Sequence, residues 1–211
     1  SRLAPQQVYQ MFGFLDPAGP LYATLANKFE PALAEAIRGT LMSGFIQGMN
    51  PRQIAAILAQ KPFGMALNWA LNTARTASLW AYRSASTANY QAHSDVVTGW
   101  IWLSARDDRT CPGCWAKHGT FHPVTETLAD HHQGRCVQIP QTKSYAELGI
   151  PGIDEKPLEV PSGESLFRKL ADDVQKQILG PGRYAAWKAG EFDFSALSVP
   201  YNDRVYGQMW R

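Results

Sequence analysis

The sequence predicts a mainly helical α+β protein, and three observations lead to this fold class. Apolar residues recur at helical spacing in the first half of the chain, short runs of β-forming residues follow Gly99, and helical spacing returns towards the end. With 211 residues, 45% of them hydrophobic and 18% charged, the chain can bury one well-packed core. The predicted regions are an extended arm at 1–20, a helical region at 21–98, a small antiparallel β unit at 99–140, and an irregular loop with short helices at 141–211.

Two helices are predicted before residue 60. In the segment 22–47 an apolar residue recurs every four positions, and Pro31 either bends this helix or marks its start. In the next segment Asn50 suits an N-cap and Pro51 suits the first helical position. These signals predict a helical N-terminal half.

A long spine helix is predicted from about residue 62 to residue 97. The segment is crowded with Ala, Ser and Thr, whose small side chains allow neighbouring helices to approach closely. We therefore expect it to lie within a helical bundle, with Trp69, Trp80, Tyr82 and Tyr90 filling the gaps. Core packing is the favoured interpretation of this aromatic stripe.

Three short runs around the middle of the chain have the composition of β-strands. They are "GWIWLSA", "GTFHP" and "CVQIP", and each is bounded by Gly, Pro or a charged residue. The runs are close together in sequence, which predicts a small antiparallel unit.

The last third of the chain is predicted to be a loop followed by helices. Residues 140–162 are rich in proline and predict a long irregular segment. A helix is expected at 164–179, capped by Ser162 and stopped by Gly180 and Pro181, and a short helix is expected at 183–188. The tail from residue 192 onwards shows no clear period.

A cluster of cysteine and histidine lies inside the predicted β unit. All three cysteines and four of the five histidines fall between Cys111 and Cys136. Cys111 and Cys114 form a C-x2-C pair that we expect on a turn, and His131 and His132 follow sixteen residues later. One histidine and the last cysteine would complete a Cys3His zinc site of small-ribbon spacing. His118 and His122 are predicted to be solvent-facing loop residues.

Other interpretations of the cluster remain open. A redox C-x2-C usually opens a helix after a buried strand, whereas a turn between strands is predicted here. A catalytic Cys/His pair would need an orienting third residue, and none is evident near Cys136. The cysteines could also be small buried hydrophobic residues, or two of them could form a disulfide. An odd number of cysteines favours the reduced thiols of a cytoplasmic origin.

Several function classes find no support in the sequence. There is no P-loop, no paired acidic motif for two-metal nuclease chemistry and no GxSxG elbow. A net charge of +2 does not by itself indicate nucleic-acid binding, and no apolar run approaches a membrane span. We therefore predict a protein that is not an enzyme and has no catalytic residues.

Three segments, in this order, resemble the phage Mu F-like family of minor head proteins. They are "GWIWLSARDDRTCPGCWAKHG", "DHHQGRCVQIP" and "SGESLFRKLADDVQKQILGPGRYAAWKAGEFDFSAL". The resemblance covers about residues 70–200. It places His131 at the family's histidine and leaves His132 as an extra, so the implied metal ligands are Cys111, Cys114, His131 and Cys136. Many relatives have a second cysteine where this chain has Gly134, so a family disulfide is not carried over.

The resemblance also implies a function. Such proteins are present in few copies in the virion, inside the head near the portal vertex, after synthesis in the bacterial host cytoplasm. They act in head assembly and in some cases in DNA packaging or delivery. The implied partners are the portal protein, capsid or scaffolding proteins and packaged double-stranded DNA, with no membrane in the assembled head. Zinc would be a structural cofactor. A zinc- or thiol-dependent hydrolase acting during maturation or after injection is the alternative.

Contact with packaged DNA is expected to be weak and independent of sequence. Arg75 and Arg83 are eight residues apart, so on the predicted helix they share one face about 12 Å apart. Two such arginines suffice for a weak phosphate contact that is lost between about 50 and 200 mM salt. They could equally be two solvated arginines.

Overall fold

A computed structural model describes residues 25–27, 29–60, 67–153, 159–204 and 207–211. The predicted arm at 1–20 and the first residues of the predicted spine helix lie outside these ranges. Contacts divide the chain into two units. The first unit is 1–89 together with 132–134 and 202–207. The second unit is 90–131 together with 135–201 and 208–211. None of the helices in the described ranges is long and apolar enough to cross a membrane.

The first two helices begin where the sequence predicts. Helix α1 is Pro31–Ile46 and helix α2 is Pro51–Ala59. The Asn50 side chain accepts hydrogen bonds from the backbone N–H groups of Arg52 and Gln53, and the Gln53 side chain accepts from the Asn50 N–H at 2.8 Å. This capping box satisfies N–H groups that have no partner inside the helix.

Close packing between α1 and α2 depends on a glycine. A Cβ added at Gly44 would lie 2.6 Å from the side chain of Ile54, well inside van der Waals contact. Ile54 is itself fully buried. A larger residue at position 44 would therefore force the two helices apart.

Helix α3 is the long spine helix and comprises Leu67–Ala92. Its buried face is built mainly from small residues at heptad-like spacing, which are Ala70, Ala74, Ala77, Ala81 and Ala88. This agrees with the small-residue face expected from the sequence. Tyr82 was expected to fill a gap in the core, but its side chain is 56% exposed, so that expectation is wrong.

Two further expectations about α3 are corrected. The helix ends at Ala92 and not at residue 97, because a turn closes on the carbonyl of His93 and the β-branched Val97 already begins a strand. Arg83 is 3% exposed and donates to the carbonyl of Gly134 at 2.8 Å. A buried arginine engaged with backbone cannot form the predicted exposed phosphate contact with Arg75.

The three predicted strands form one antiparallel sheet. Strands β1 (Val97–Leu103), β2 (Phe121–Pro123) and β3 (Val137–Thr142) are ordered β2-β1-β3. The central strand is buried on both faces, since Trp100, Ile101 and Trp102 are all covered. This explains why the run "GWIWL" is almost continuously apolar.

The expected helix at 164–179 is two helices. Helix α5 is Gly163–Phe167, capped by Ser162 as predicted, and helix α6 is Asp172–Leu179. The break is stabilised by the side-chain amide of Gln175, which donates to the carbonyls of Phe167 at 3.2 Å and Leu170 at 2.7 Å. Carbonyls that a continuous helix would pair internally are satisfied by this one buried side chain.

The end of the chain is more regular than its sequence suggests. Helix α7 is Pro181–Lys188 and follows Gly180, whose φ of 78° ends α6 as predicted. A 3₁₀ helix at Phe194–Leu197 and a hairpin of β4 (Pro200–Asp203) and β5 (Gly207–Trp210) come next. The short helices bury an aromatic core, which comprises Trp115, Phe167, Leu179, Trp187 and Phe194.

We expect Gly163→Ala to destabilise the second unit by about 2–3 kcal/mol, because the new Cβ would lie 1.8 Å from the carbonyl oxygen of Trp115, a backbone atom that cannot rotate away. The matched control is Gly182→Ala in α7, where a Cβ would have no heavy atom within 4 Å. The control should be neutral or stabilising by at most about 1 kcal/mol. Urea unfolding followed by tryptophan fluorescence measures both, and equal midpoints would contradict the prediction.

Candidate metal centre

The C-x2-C pair opens a helix. Helix α4 is Pro112–Lys117, with Cys111 as its N-cap and Pro112 in the first turn. The backbone N–H of Cys114 donates to the sulfur of Cys111 at 3.3 Å. The expectation of a turn between strands is therefore wrong, because a proline at the first helical position favours a helix start over a plain turn. A C-x2-C pair at a helix start is also the arrangement found in redox motifs.

The imidazole of His131 meets both cysteines of this pair. Its Nε2 lies 3.3 Å from the sulfur of Cys111 and 3.4 Å from that of Cys114. In a tetrahedral zinc site, bond lengths of 2.3 Å to sulfur and 2.0–2.1 Å to nitrogen give a ligand separation of about 3.6 Å. Both nitrogen–sulfur distances are therefore close to the spacing that zinc requires.

Asp130 is a member of the cluster that the sequence analysis missed. Its side chain is fully buried. One carboxylate oxygen accepts from the Cys114 thiol at 3.2 Å and from the His131 N–H at 2.9 Å, and the other accepts from the Cys136 N–H at 3.2 Å. Its position directly before His131 in "DHHQGRC" was the available signal, because a carboxylate within a Cys/His segment is a potential ligand.

The potential ligands form two sets of three that share Cys114. Cys111, Cys114 and His131 form one, and Cys114, Asp130 and Cys136 form the other, with the ligand atoms of each set within 4.8 Å of one another. The four predicted ligands are thus divided between the sets. A tetrahedral zinc holds its sulfurs about 3.8 Å apart, so Cys111 and Cys136 must approach each other for all four to bind one ion.

His132, the second candidate histidine, takes no part in either set. Its Nε2 lies 2.8 Å from a carboxylate oxygen of Asp203, and both residues belong to the first unit. Cys136 was expected to lie within the third strand, but it directly precedes β3.

The two cysteines of the C-x2-C pair differ in acidity. A hydrogen bond with the Cys114 side chain lowers the pKa of Cys111 to about 5, and His131 adds to this effect. The same hydrogen bond, a second one with Cys136 and burial raise the pKa of Cys114. The structure has all three cysteines reduced. Without a cation, this cluster therefore favours a thiolate at Cys111 and a protonated thiol at Cys114.

An ion pair fixes the two loops that carry the cysteines. The guanidinium of Arg135 donates to both carboxylate oxygens of Asp107 at 2.6 Å, and this lowers the pKa of Asp107. Asp107 also accepts from the Thr110 hydroxyl at 2.8 Å. The residues directly before Cys111 and Cys136 are thereby tied together, which holds the two sulfurs on neighbouring segments.

One side of the cluster opens into a cavity. Cys111 and His131 line a cavity of about 670 Å³, whereas Cys114, Asp130 and Cys136 are almost completely covered. The cluster therefore has one face that molecules from solvent can reach and one that they cannot.

The other two histidines of the segment are not solvent-facing, contrary to expectation. His118 is 1% exposed, and its Nδ1 accepts from the Ser104 N–H at 3.0 Å. The ring of His122 stacks on Trp100 at 4.3 Å and leaves 14% of its side chain exposed. Trp100 and Trp102 of β1 lie against the ring of His122, a residue that looks polar and loop-like in sequence. Neither histidine belongs to the metal-ligand sets found among the described residues.

Comparison with known protein families gives a match over about half of the chain. The model of the family described as Phage Mu protein F like protein matches residues 35–144, which is 110 of the 211 residues. The matched span includes the whole Cys/His cluster with Asp130. Neither the curated proteins nor the solved structures give a match.

Burial of His118 predicts a specific pH dependence of stability. Burial, together with the charge of Arg106, lowers the pKa of His118 from 6.5 to about 4. The unfolded chain therefore binds a proton in this range that the folded chain does not, so the free energy of unfolding falls as the pH drops from about 6.5 towards 4. We expect His118 to account for a loss of about 1–3 kcal/mol over this window.

The control for this prediction is His118→Asn, whose side-chain oxygen can still accept from Ser104. Urea unfolding of both proteins across this pH range measures the difference. The free energy of unfolding of the variant should fall less steeply with decreasing pH, because the variant lacks the contribution of His118. Parallel pH profiles for the two proteins would show that His118 is not the titrating group.

Proposed function

This chain belongs to the phage Mu protein F like family of head morphogenesis proteins, and we propose that it is a minor structural protein located inside the phage head near the portal vertex. It acts in head assembly and contributes to packaging or delivery of the DNA. The observation that carries this proposal is the family match, which runs in one continuous span from residue 35 within α1 through α2, α3, the sheet and the Cys/His cluster. Membership of a phage head family implies a place in the virion.

The proposed partners are the portal protein, capsid or scaffolding proteins and packaged DNA. Three large hydrophobic residues are exposed on the described helices of the first unit, with Ile46 at 73%, Tyr82 at 56% and Ile57 at 37% exposure. These side chains are the candidate contact points for a protein partner. Contact with DNA would be weak and independent of sequence, through scattered cations that do not include the buried Arg83.

The Cys/His cluster would serve as a structural zinc site with Cys111, Cys114, His131 and Cys136 as ligands. The ligand types are those of zinc, and the distances from His131 Nε2 to the sulfurs of Cys111 and Cys114 are close to those in a zinc site, whereas Cys136 would have to move closer to Cys111. Asp130 would orient the site, because it accepts hydrogen bonds from the backbone of two of the ligand residues. A bound ion would join the start of α4 to the segment before β3, and a three-stranded sheet gains much stability from such a cross-link.

A zinc- or thiol-dependent hydrolase is the second candidate function, and one observation favours it. Cys111 and His131 face the cavity, so an ion held there could bind substrate or water. However, none of the described residues that line the cavity carries a carboxylate that could act as a general base. The structural role is therefore the better supported of the two.

Replacing His131 tests the zinc site, and His132 is its matched control. We expect His131→Gln to weaken zinc binding by about 10–100-fold, because it removes the only nitrogen in the ligand set, whereas His132→Gln should keep the zinc of the parent protein. Elemental analysis of the purified proteins and titration with a zinc indicator measure this. Hydrogen exchange should show residues 97–142 loosened in the first variant and α1 to α3 unchanged.

Two results would contradict the zinc proposal. One is a parent protein that contains no zinc after purification in zinc-supplemented medium. The other is equal zinc affinity in the two histidine variants, which would remove His131 from the ligand set.

The place in the particle is tested on purified virions. Quantitative mass spectrometry should find few copies of the chain per particle, and cryo-electron microscopy without imposed symmetry should find it at the portal vertex. Protease added to intact heads should leave it uncut, because the shell protects an internal protein. Digestion at the rate of an external head protein, or a copy number equal to that of the major capsid protein, would refute the proposal.

A further inference from the structure

The cavity beside the metal centre has a cationic and apolar lining that zinc binding does not explain. Two arginines, Arg183 and Arg211, contribute to its wall, together with Phe192, Leu197 and Val199. None of the described lining residues is an aspartate or a glutamate, and the two guanidinium groups outnumber the single thiolate that Cys111 can carry. Excess positive charge next to apolar surface is suited to a ligand that carries both an anionic group and an apolar group.

Part of the cavity wall is backbone that hydrogen bonds within the protein hold in position before any ligand binds. Arg211 and Val199 exchange two backbone hydrogen bonds, at 2.9 and 3.1 Å. The guanidinium of Arg211 lies 5.2 Å from the ring of Tyr201, which limits its motion. A Cβ on Gly113 would lie 2.3 Å from the carbonyl carbon of Arg211, so glycine is required there for the terminal strand to pack against α4. Such a preformed wall reduces the entropy lost when a ligand binds.

Arg183 is the cation best placed to bind a ligand. It lies in the first turn of α7 with an exposed side chain, and it forms no ion pair with any described residue. The neighbouring cation Lys188, by contrast, pairs with Asp172 at 3.0 Å. An arginine next to apolar surface can form two parallel hydrogen bonds with a carboxylate.

We propose that this cavity binds an acidic peptide segment of a protein partner, with an aspartate or glutamate side chain on Arg183 and Arg211 and an adjacent apolar side chain against Phe192, Leu197 and Val199. A volume of about 670 Å³ is sufficient for two or three side chains. Duplex DNA fits less well, because its phosphates lie along a wide rod and offer no apolar group for these walls. The proposed peptide contacts leave out the metal ligands Cys111 and His131, which also line the cavity, and they do not depend on where the protein lies in the particle.

A different role for the arginines must be distinguished from this one. Cys111 lines the cavity and its lowered pKa favours a thiolate there, so the two guanidinium groups could serve only to balance that charge. In that case Arg183→Gln would lower zinc affinity, and no peptide would bind.

The experiment is a titration of the full isotope-labelled chain with two pentapeptides, followed by two-dimensional NMR. The peptides are Gly-Leu-Asp-Leu-Gly and Gly-Leu-Asn-Leu-Gly, acetylated and amidated so that the aspartate is the only carboxylate. We expect the aspartate peptide to shift resonances of residues 192–199 and to bind about 10-fold more tightly than its asparagine counterpart. Arg183→Gln should remove most of this difference.

The matched control is Arg52→Gln, which removes the same charge from an exposed position on α2 and should leave both affinities unchanged. Zinc content is measured in parallel for every variant. Equal binding of the two peptides, an unaltered affinity in Arg183→Gln, or displacement of the peptide by a short DNA duplex would overturn the proposal. Loss of zinc in Arg183→Gln without any peptide binding to the parent would assign the arginines to charge balance.

Discussion

The buried carboxylate of Asp130 is the group on which the arrangement of the second unit depends. A carboxylate removed from water is costly unless hydrogen bonds compensate it. Asp130 accepts three, from the thiol of Cys114 and from the backbone of His131 and Cys136. The three donors belong to the first helix of the unit, the loop after it and the segment entering β3. One side chain therefore positions every predicted metal ligand except Cys111, which the adjoining helix cap holds.

Helix α4 connects the metal centre to both hydrophobic cores of the second unit. Cys114 packs in the core that contains Trp100, Trp102 and Leu128. The next residue, Trp115, packs in the core formed by Phe167, Trp187 and Phe194. Because consecutive residues of one short helix face different cores, an ion that fixes the start of α4 would order both. A small metal site can in this way stabilise a much larger part of the chain than the segment that carries its ligands.

The redox and catalytic interpretations of the cysteines have less support than the structural one for a physical reason. The helix start and the lowered pKa of Cys111 are features that reactive cysteines share. However, a third sulfur, an imidazole and a buried carboxylate lie around the same pair, and this is a donor set that binds a cation. The open side of the cluster leads to a cavity with cationic and apolar walls, which suits recognition of a ligand more than activation of water.

The features of this protein that depend on neighbouring residues could be predicted from the sequence alone. Asn50 and Pro51 start α2, Ser162 caps α5, and the alternation of β-formers and turn residues defines all three strands of the sheet. The features that depend on distant partners became visible in the folded structure. Arg83 is buried against a carbonyl 51 positions away, and Asp130 is buried beside a cysteine 16 positions away. The break after α5 depends on the side chain of Gln175, which a helical pattern does not reveal. Local propensity is encoded by spacing along the chain, whereas the burial of a polar side chain requires donors or acceptors that folding brings from elsewhere.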